Sequence, residues 1–170
     1  MKKLFALMLA LCLMLGCTAL ADNEVSWEQF APLLEENGIT GDFVTFEEIA
    51  VKVFIPTGMN AVELSKEDKA AGFIGYFATD DGEAIGVQYV NVDGMDLETY
   101  AAQVAENGGT EIETGTVNGL PCISYEYKDN MVCAFTTQKG YILEVAVGPL
   151  PDEASKLGGS VILASIQSAE

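Results

Sequence analysis

Four strand-forming segments follow one another between residues 110 and 147, joined by connections of only two or three residues. They are Thr110–Val117, Leu120–Tyr127, residues 131–137 and residues 141–147. Asn118-Gly119, Lys128-Asp129-Asn130 and a turn ending in Lys139-Gly140 separate them. A parallel neighbour needs a crossover of a dozen residues or more, whereas an antiparallel one needs a two-residue turn. The four segments are therefore expected to zip into an antiparallel meander.

Alternation along these segments divides them into two faces. One carries Ile123, Tyr125, Val132, Ala134, Leu143 and Val145 and is expected to be the core face. The other carries Cys122, Glu126, Cys133, Phe135, Ile142 and Glu144, a mixed set expected to be half covered. With Asp129-Asn130 at the centre of the turn, Cys133 faces Glu126 and Cys122 faces Thr137. The two sulfurs are then four residues apart along one face, about 13 Å. That is too far for a disulfide, which needs Cα atoms within about 7 Å.

Helices are expected on either side. Ser26 opens the first as an N-cap with Gln29 completing a capping box, and Asn37-Gly38 closes it. Asp96 caps the clearest one, whose Leu97, Tyr100, Ala101, Val104 and Ala105 form one apolar stripe. Ser65 starts a short turn of helix, and a last helix begins at Pro151 or Asp152, weakened by Gly158-Gly159. Residues 42–46, 49–55, 73–79 and 84–91 read as further strands, the last two forming a hairpin around Asp80-Asp81-Gly82. Gly75 and Gly86 inside that hairpin indicate a bulge or a close neighbour on the sheet. The expected fold is α+β: a curved antiparallel sheet of six to eight strands with helices packed against it.

Before this periodic region hydrophobicity is continuous. Lys2-Lys3 precede an apolar run of 12 residues, 4–15. A bilayer-spanning helix needs about 20, so the run fits the core of a cleavable signal peptide instead. Ala19-Leu20-Ala21 supplies a small-x-small cleavage site, making residues 1–21 a leader and residues 22–170 one globular domain. The alternative is Met14-Leu15-Gly16-Cys17, which resembles a lipobox and would place a lipid anchor on Cys17. No other stretch is long and apolar enough to span, so a soluble exported protein, secreted or held at the cell envelope, is expected.

Composition excludes more chemistry than it suggests. All eight basic residues are Lys and there is no His, against 26 acidic residues and a net charge of -18. The chain thus has no imidazole base, no His metal ligand and no guanidinium fork for phosphate. Such a surface repels nucleic acid and anionic headgroups. Nothing in the sequence calls for a cofactor.

The remaining candidates are carboxylates. Asp80-Asp81-Gly82-Glu83 and the stretch from Asn91 to Asp96 could offer oxygens to Ca²⁺, but with Gly94 sixth in a Ca²⁺ loop, Tyr100 occupies the position that requires Glu. A turn and a helix cap explain both stretches better. Glu111 with Glu113 reads as a wet strand face. Glu126 and Glu144, flanking Cys133 and Phe135, mark the one place where a small cleft is expected. Ser65 and Ser155 beside lysines sit in exposed caps, where no Lys is desolvated enough to act as a base.

The stretch Val51-Lys-Val-Phe-Ile-Pro-Thr-Gly58, the helix at 96–107 leading into a strand, Asn118-Gly-Leu-Pro-Cys-Ile-Ser-Tyr125 and the terminal Ile162-Leu-Ala-Ser-Ile166 together resemble the Mog1/PsbP-like fold family. That family includes many small exported bacterial proteins. The resemblance covers roughly residues 42–168 and leaves the first helix as a departure. It implies binding or assembly roles, as in a Ran-binding protein and a photosystem accessory subunit, and transfers no site residue. The expected function is a non-catalytic binding or accessory protein for a protein or small-molecule ligand. The alternatives are a carboxylate-dependent hydrolase built on Glu126 and Glu144, and a cation-binding module.

Overall fold

A computed structural model describes residues 24–169 except 93, 138 and 139. The leader and Cys17 lie outside the described residues. In chain order the elements are β1 (Glu24–Val25), α1 (Trp27–Asn37), β2 (Gly41–Phe46), β3 (Val51–Pro56), β4 (Asn60–Ala61), α2 (Lys66–Ala70), β5 (Phe73–Ala78), β6 (Ala84–Val90) and α3 (Leu97–Glu106). They continue with β7 (Thr110–Val117), β8 (Leu120–Tyr127), β9 (Asn130–Thr136), β10 (Ile142–Gly148), α4 (Glu153–Ala164) and β11 (Gln167–Ser168).

The fold is α+β. An eight-stranded sheet has the order β1-β7-β8-β9-β10-β6-β5-β4, and β11-β3-β2 form a separate three-stranded sheet. The meander from β7 to β10 is antiparallel throughout. The large sheet is mixed, because β1 adds to the β7 edge in parallel. The strand expected at 49–55 is shorter: Glu47–Ile49 is a turn of 3₁₀ helix, and Ala50 at φ 51 redirects the chain into β3.

The β8–β9 register differs from the expected one by two residues. Tyr127 pairs with Asn130, so Lys128 and Asp129 alone make the turn, with Lys128 at φ 55. Asn130 belongs to the strand. Cys133 therefore pairs with Ser124, and Cys122 with Phe135. The cysteines are diagonal neighbours, not four residues apart, and their free thiols are close enough to influence each other's ionisation.

The division into faces also changes. Glu144 pairs with Ala134, which pairs with Ile123, so Ile142, Glu144 and Ala146 share a face with Ile123 and Tyr125. Leu143, Val145 and Val147 point the other way, with Cys122, Cys133 and Phe135. Neither face is the wet one. On the first lie Tyr100 and Val104 of α3, over Ile123, Tyr125, Val132 and Ile142. On the second lie the inward side chains of β3 (Val51, Val53 and Ile55) with Ile162, Leu163 and Ile166 from α4 and the chain beyond it. β3 is itself covered on its outer side, where Phe54 meets Phe30 and Leu34 of α1. The order of layers is α3, large sheet, small sheet with α4, then α1.

Local rules account for most of these elements. Asp96 caps α3 by accepting from the Thr99 N–H at 2.8 Å, and Asp152 caps α4 through Ser155 N–H at 2.8 Å. Ser65 and Asp68 form a complete capping box at α2. The capping box expected at Ser26 is absent: Ser26 is the N-cap residue, but its side chain makes no capping bond. Gly75 serves as expected, lying where the β5–β6 register shifts and where an added Cβ would sit 2.5 Å from the Phe46 ring.

One turn residue ties the layers together. Asn118 and Gly119 both have positive φ, as a type I′ hairpin requires. The Asn118 Oδ1 accepts from Trp27 N–H at 2.6 Å, and its Nδ2 donates to the carbonyls of Ala164 and Ile166 at 2.9 and 2.7 Å. Its own N–H donates to Val25 O at 2.7 Å. The start of α1, the end of α4 and the β7–β8 turn thus meet on one amide. Replacing Asn118 with Ala removes three side-chain bonds and strains the left-handed turn, at an expected cost of about 2–4 kcal/mol. Asn118→Gly relieves only the strain and is expected to recover about 1 kcal/mol of that loss. Chemical denaturation of the two variants checks the split.

Candidate functional site

A hollow in the surface lies between layers, at the end of the large sheet where β6 begins. Ala84 of β6 pairs with Gly148 of β10, so the β5–β6 turn and the segment leading into α4 meet there. Leu34 and Ile39 of the α1 end, Phe54 and Pro56 of β3, Met59, Val147, Leu150 and the α4 residues Leu157, Val161 and Ile162 form the walls. Thr57, Thr79, Glu83 and Ser155 supply the polar lining. The cleft holds about 460 Å³ and is partly open, within the range of small-molecule pockets.

Two adjacent glycines of α4 shape it for different reasons. A Cβ on Gly159 would come within 2.7 Å of Leu150 Cδ1, so the Leu150 side chain packs directly on this glycine and would have to shift for any larger residue. At Gly158 an added Cβ meets nothing within 4 Å, and the residue lines the cleft. Glycine inside a helix costs about 1 kcal/mol relative to alanine. No neighbouring atom requires this one; what its missing side chain provides is open volume. Ile39 completes the picture, 42% exposed at the rim just past the left-handed Gly38 that ends α1.

The sequence-predicted site does not assemble in one place. Glu126, Cys133 and Phe135 are on the face toward α4, whereas Glu144 is on the face toward α3. None of the four lines the cleft. Glu126 pairs with Lys156 of α4 at 2.7 Å, an ion pair whose hydrogen bond holds the ammonium above its usual pKa. Phe135 and Cys133 are buried core residues. The adjacent Cys122 and burial push the Cys133 thiol well up, so it is not a nucleophile in waiting. A two-carboxylate mechanism on Glu126 and Glu144 would need the pair on one side of the sheet. Ser155 is tied to Asp152 by its N–H and its hydroxyl, and Lys156 is engaged by Glu126. Among the described residues no three carboxylates or thiols converge as a metal set. Asp93, part of one proposed Ca²⁺ stretch, lies outside them.

Glu144 is instead an anchor. The phenols of Tyr100 and Tyr125 both donate to its Oε1, the first at 2.5 Å, tying α3 to the middle of the sheet. Burial, reinforced by the adjacent Glu144 carboxylate, holds both phenols well above the ordinary tyrosine pKa of about 10. Because the folded values are raised, this contribution to stability is complete below pH of about 10 and is lost as the pH climbs beyond it. The expected outcome is a denaturation midpoint that falls as the pH rises above about 10, with a smaller fall in the Tyr100→Phe, Tyr125→Phe double variant. At neutral pH, Tyr125→Phe alone is expected to cost about 1.5–3 kcal/mol, the worth of a hydrogen bond to a charged acceptor.

No family model matches the chain, and no curated protein matches it in sequence. Solved structures do match. The solution structure of cyanobacterial PsbP (CyanoP) from Synechocystis superposes with a TM-score of 0.56, covering 75% of this chain and 91% of that one at 11% identity. The fold is PsbP-like. The Ran-binding protein Mog1p of Saccharomyces cerevisiae matches at a TM-score of 0.47 and 13% identity, over 78% of this chain and 97% of that one. At such identities the PsbP-like fold is what is shared; no site residue carries over. Among the described residues, no helix of this PsbP-like domain is long and apolar enough to cross a membrane.

The sequence contained two signals of the cleft that periodicity did not reveal. Gly158-Gly159 interrupts a helix that otherwise has good formers, and Ile39 follows a helix-ending glycine, where an apolar residue ordinarily folds back on the last turn. Both became interpretable only once α4, β3 and the β5–β6 turn were brought together.

Proposed function

We propose that this chain is an exported, non-catalytic binding protein that holds a small apolar ligand in the cleft beside α4. The observation that carries this reading is the cleft itself, and in particular Gly158, which leaves volume open at a position where packing would accept a side chain. Aliphatic walls bind by removing apolar surface from water, worth roughly 25 cal/mol per Å². Hydroxyl oxygens at Thr57, Thr79 and Ser155 retain lone pairs that can accept from a ligand. The lack of His and Arg in the chain agrees with binding rather than proton or phosphoryl transfer. The leader at residues 1–21 supports export, with Cys17 as the alternative lipid attachment point.

Gly158 separates binding from stability. Titration with the neutral dye N-phenylnaphthylamine is expected to saturate at one site in the native protein and in Gly158→Ala, which should also be more stable by about 0.5–1 kcal/mol. Gly158→Leu projects into the cleft and is expected to abolish the saturable signal while leaving the far-UV circular dichroism unchanged. Equal dye binding by native protein and Gly158→Leu would remove the cleft from consideration.

The export assignment has its own readout. Intact mass of the protein recovered from its native host is expected to begin at Asp22; a diacylated Cys17 start would assign the anchor instead, and an unprocessed Met1 start would end the export reading.

A further inference from the structure

The ligand class follows from what surrounds the opening, taking the cleft as the ligand site proposed above. We infer that the cleft selects a cationic amphiphile: an aliphatic body seated on the apolar walls, with an ammonium group at the mouth beside Glu83.

Acidic side chains outnumber basic ones at this end of the molecule. Glu83 lines the cleft, and Asp80 and Asp81 occupy the same β5–β6 turn. The pairing of Ala84 with Gly148 brings that turn beside the segment entering α4, which carries Asp152 and Glu153. No lysine lines the cleft. Two described lysines share this end, Lys156 of α4 and Lys128 of the β8–β9 turn beside Leu150, and each is held by a neighbour; the others lie elsewhere. Lys156 is paired with Glu126 at 2.7 Å, Lys52 sits 5.2 Å from the Phe43 ring centre and Lys128 5.0 Å from that of Tyr127. Lys66 and Lys69 belong to α2, next to the opposite end of β5. Among the described residues the Glu83 carboxylate has no ion-pair partner.

An anionic amphiphile is disfavoured on a second ground. The N-terminus of α4, beside Ser155 at the mouth, would ordinarily attract a carboxylate. Here the chain's own Asp152 already takes the Ser155 N–H at 2.8 Å and the Ser155 hydroxyl at 3.0 Å. Glu153 adds a further negative charge in the first turn. An incoming anion would find the donors occupied and the field repulsive. A cation finds an unpaired carboxylate at the end of an apolar trough.

Three probes with one tail and different heads test this: octyltrimethylammonium, octanol and octanoate, each below its micelle concentration, titrated into the full-length mature protein at low salt. Calorimetry gives the affinity. Trp27, the sole tryptophan, gives a second readout, since its ring lies 5.4 Å from that of Phe54 in the cleft wall. The expected order is ammonium over alcohol over carboxylate, with the ammonium favoured several-fold over the alcohol, as for an exposed ion pair. Glu83→Gln and high salt should each close most of that gap while leaving octanol binding unchanged. Gly158→Leu should abolish binding of all three. Equal affinity for the three heads overturns the charge inference and leaves the cleft reading standing. Ammonium binding that persists in Gly158→Leu shows association with the acidic surface alone and overturns it too. Failure of all three probes to bind overturns both readings.

Discussion

A sheet that is apolar on both faces cannot stand in water with one cover. In β8, β9 and β10 buried side chains fall on both faces, alternate residues going to opposite sides. Each face then needs its own layer, and the rest of the chain supplies them. α3 crosses from β6 to β7 over one side, with Tyr100 and Val104 buried against Ile123 and Ile142. The small sheet and α4 close the other, and α1 in turn covers β3. Antiparallel sheets commonly leave one face wet. This one does not, and the chain length before and after the meander is used to cover it.

Stacking layers creates polar obligations at their seams. The Asn118 amide meets three backbone groups from α1, α4 and the chain beyond it. Ser165, fully buried, accepts from Phe54 N–H at 2.9 Å and donates to Ile162 O at 2.6 Å, stitching α4 to β3, the central strand of the small sheet. Glu144 receives two phenols on the other side. Ser165 is buried and the other two are half-buried, and a group buried without a partner costs about 1–3 kcal/mol. They are concentrated at seams because strands and helices satisfy their own backbones. The cleft lies at a seam as well, where α1, α4, β3 and the β5–β6 turn meet without a side chain at residue 158 to close the gap.

The comparison of sequence with structure turns on particular residues. The meander, the α3 cap at Asp96 and the role of Gly75 were legible, since each depends on neighbours in sequence or on a local steric rule. The β8–β9 register was missed by two residues because Asn130 has turn chemistry but was placed in the strand by pairing with Tyr127. The face of β10 was missed because Ile142, Leu143, Val145 and Val147 are all apolar; when both faces are buried, alternation gives no direction. The grouping of Glu126, Cys133, Phe135 and Glu144 inherited that error. β1 was not anticipated: two residues carry no periodicity, and only the free edge of β7 gives them a partner.

By itself the sequence determined that a continuous apolar run precedes periodic segments, that four strands must run antiparallel, and that imidazole and guanidinium chemistry is excluded. These are properties of composition and of short chain connections, which no packing arrangement can alter. Tertiary structure alone decided which carboxylates share a face, that the two cysteines adjoin, and that an apolar cleft opens under an acidic rim. Those facts depend on register and on the docking of layers, where residues more than a hundred positions apart meet and where a missing side chain at Gly158 matters only because of what stands opposite.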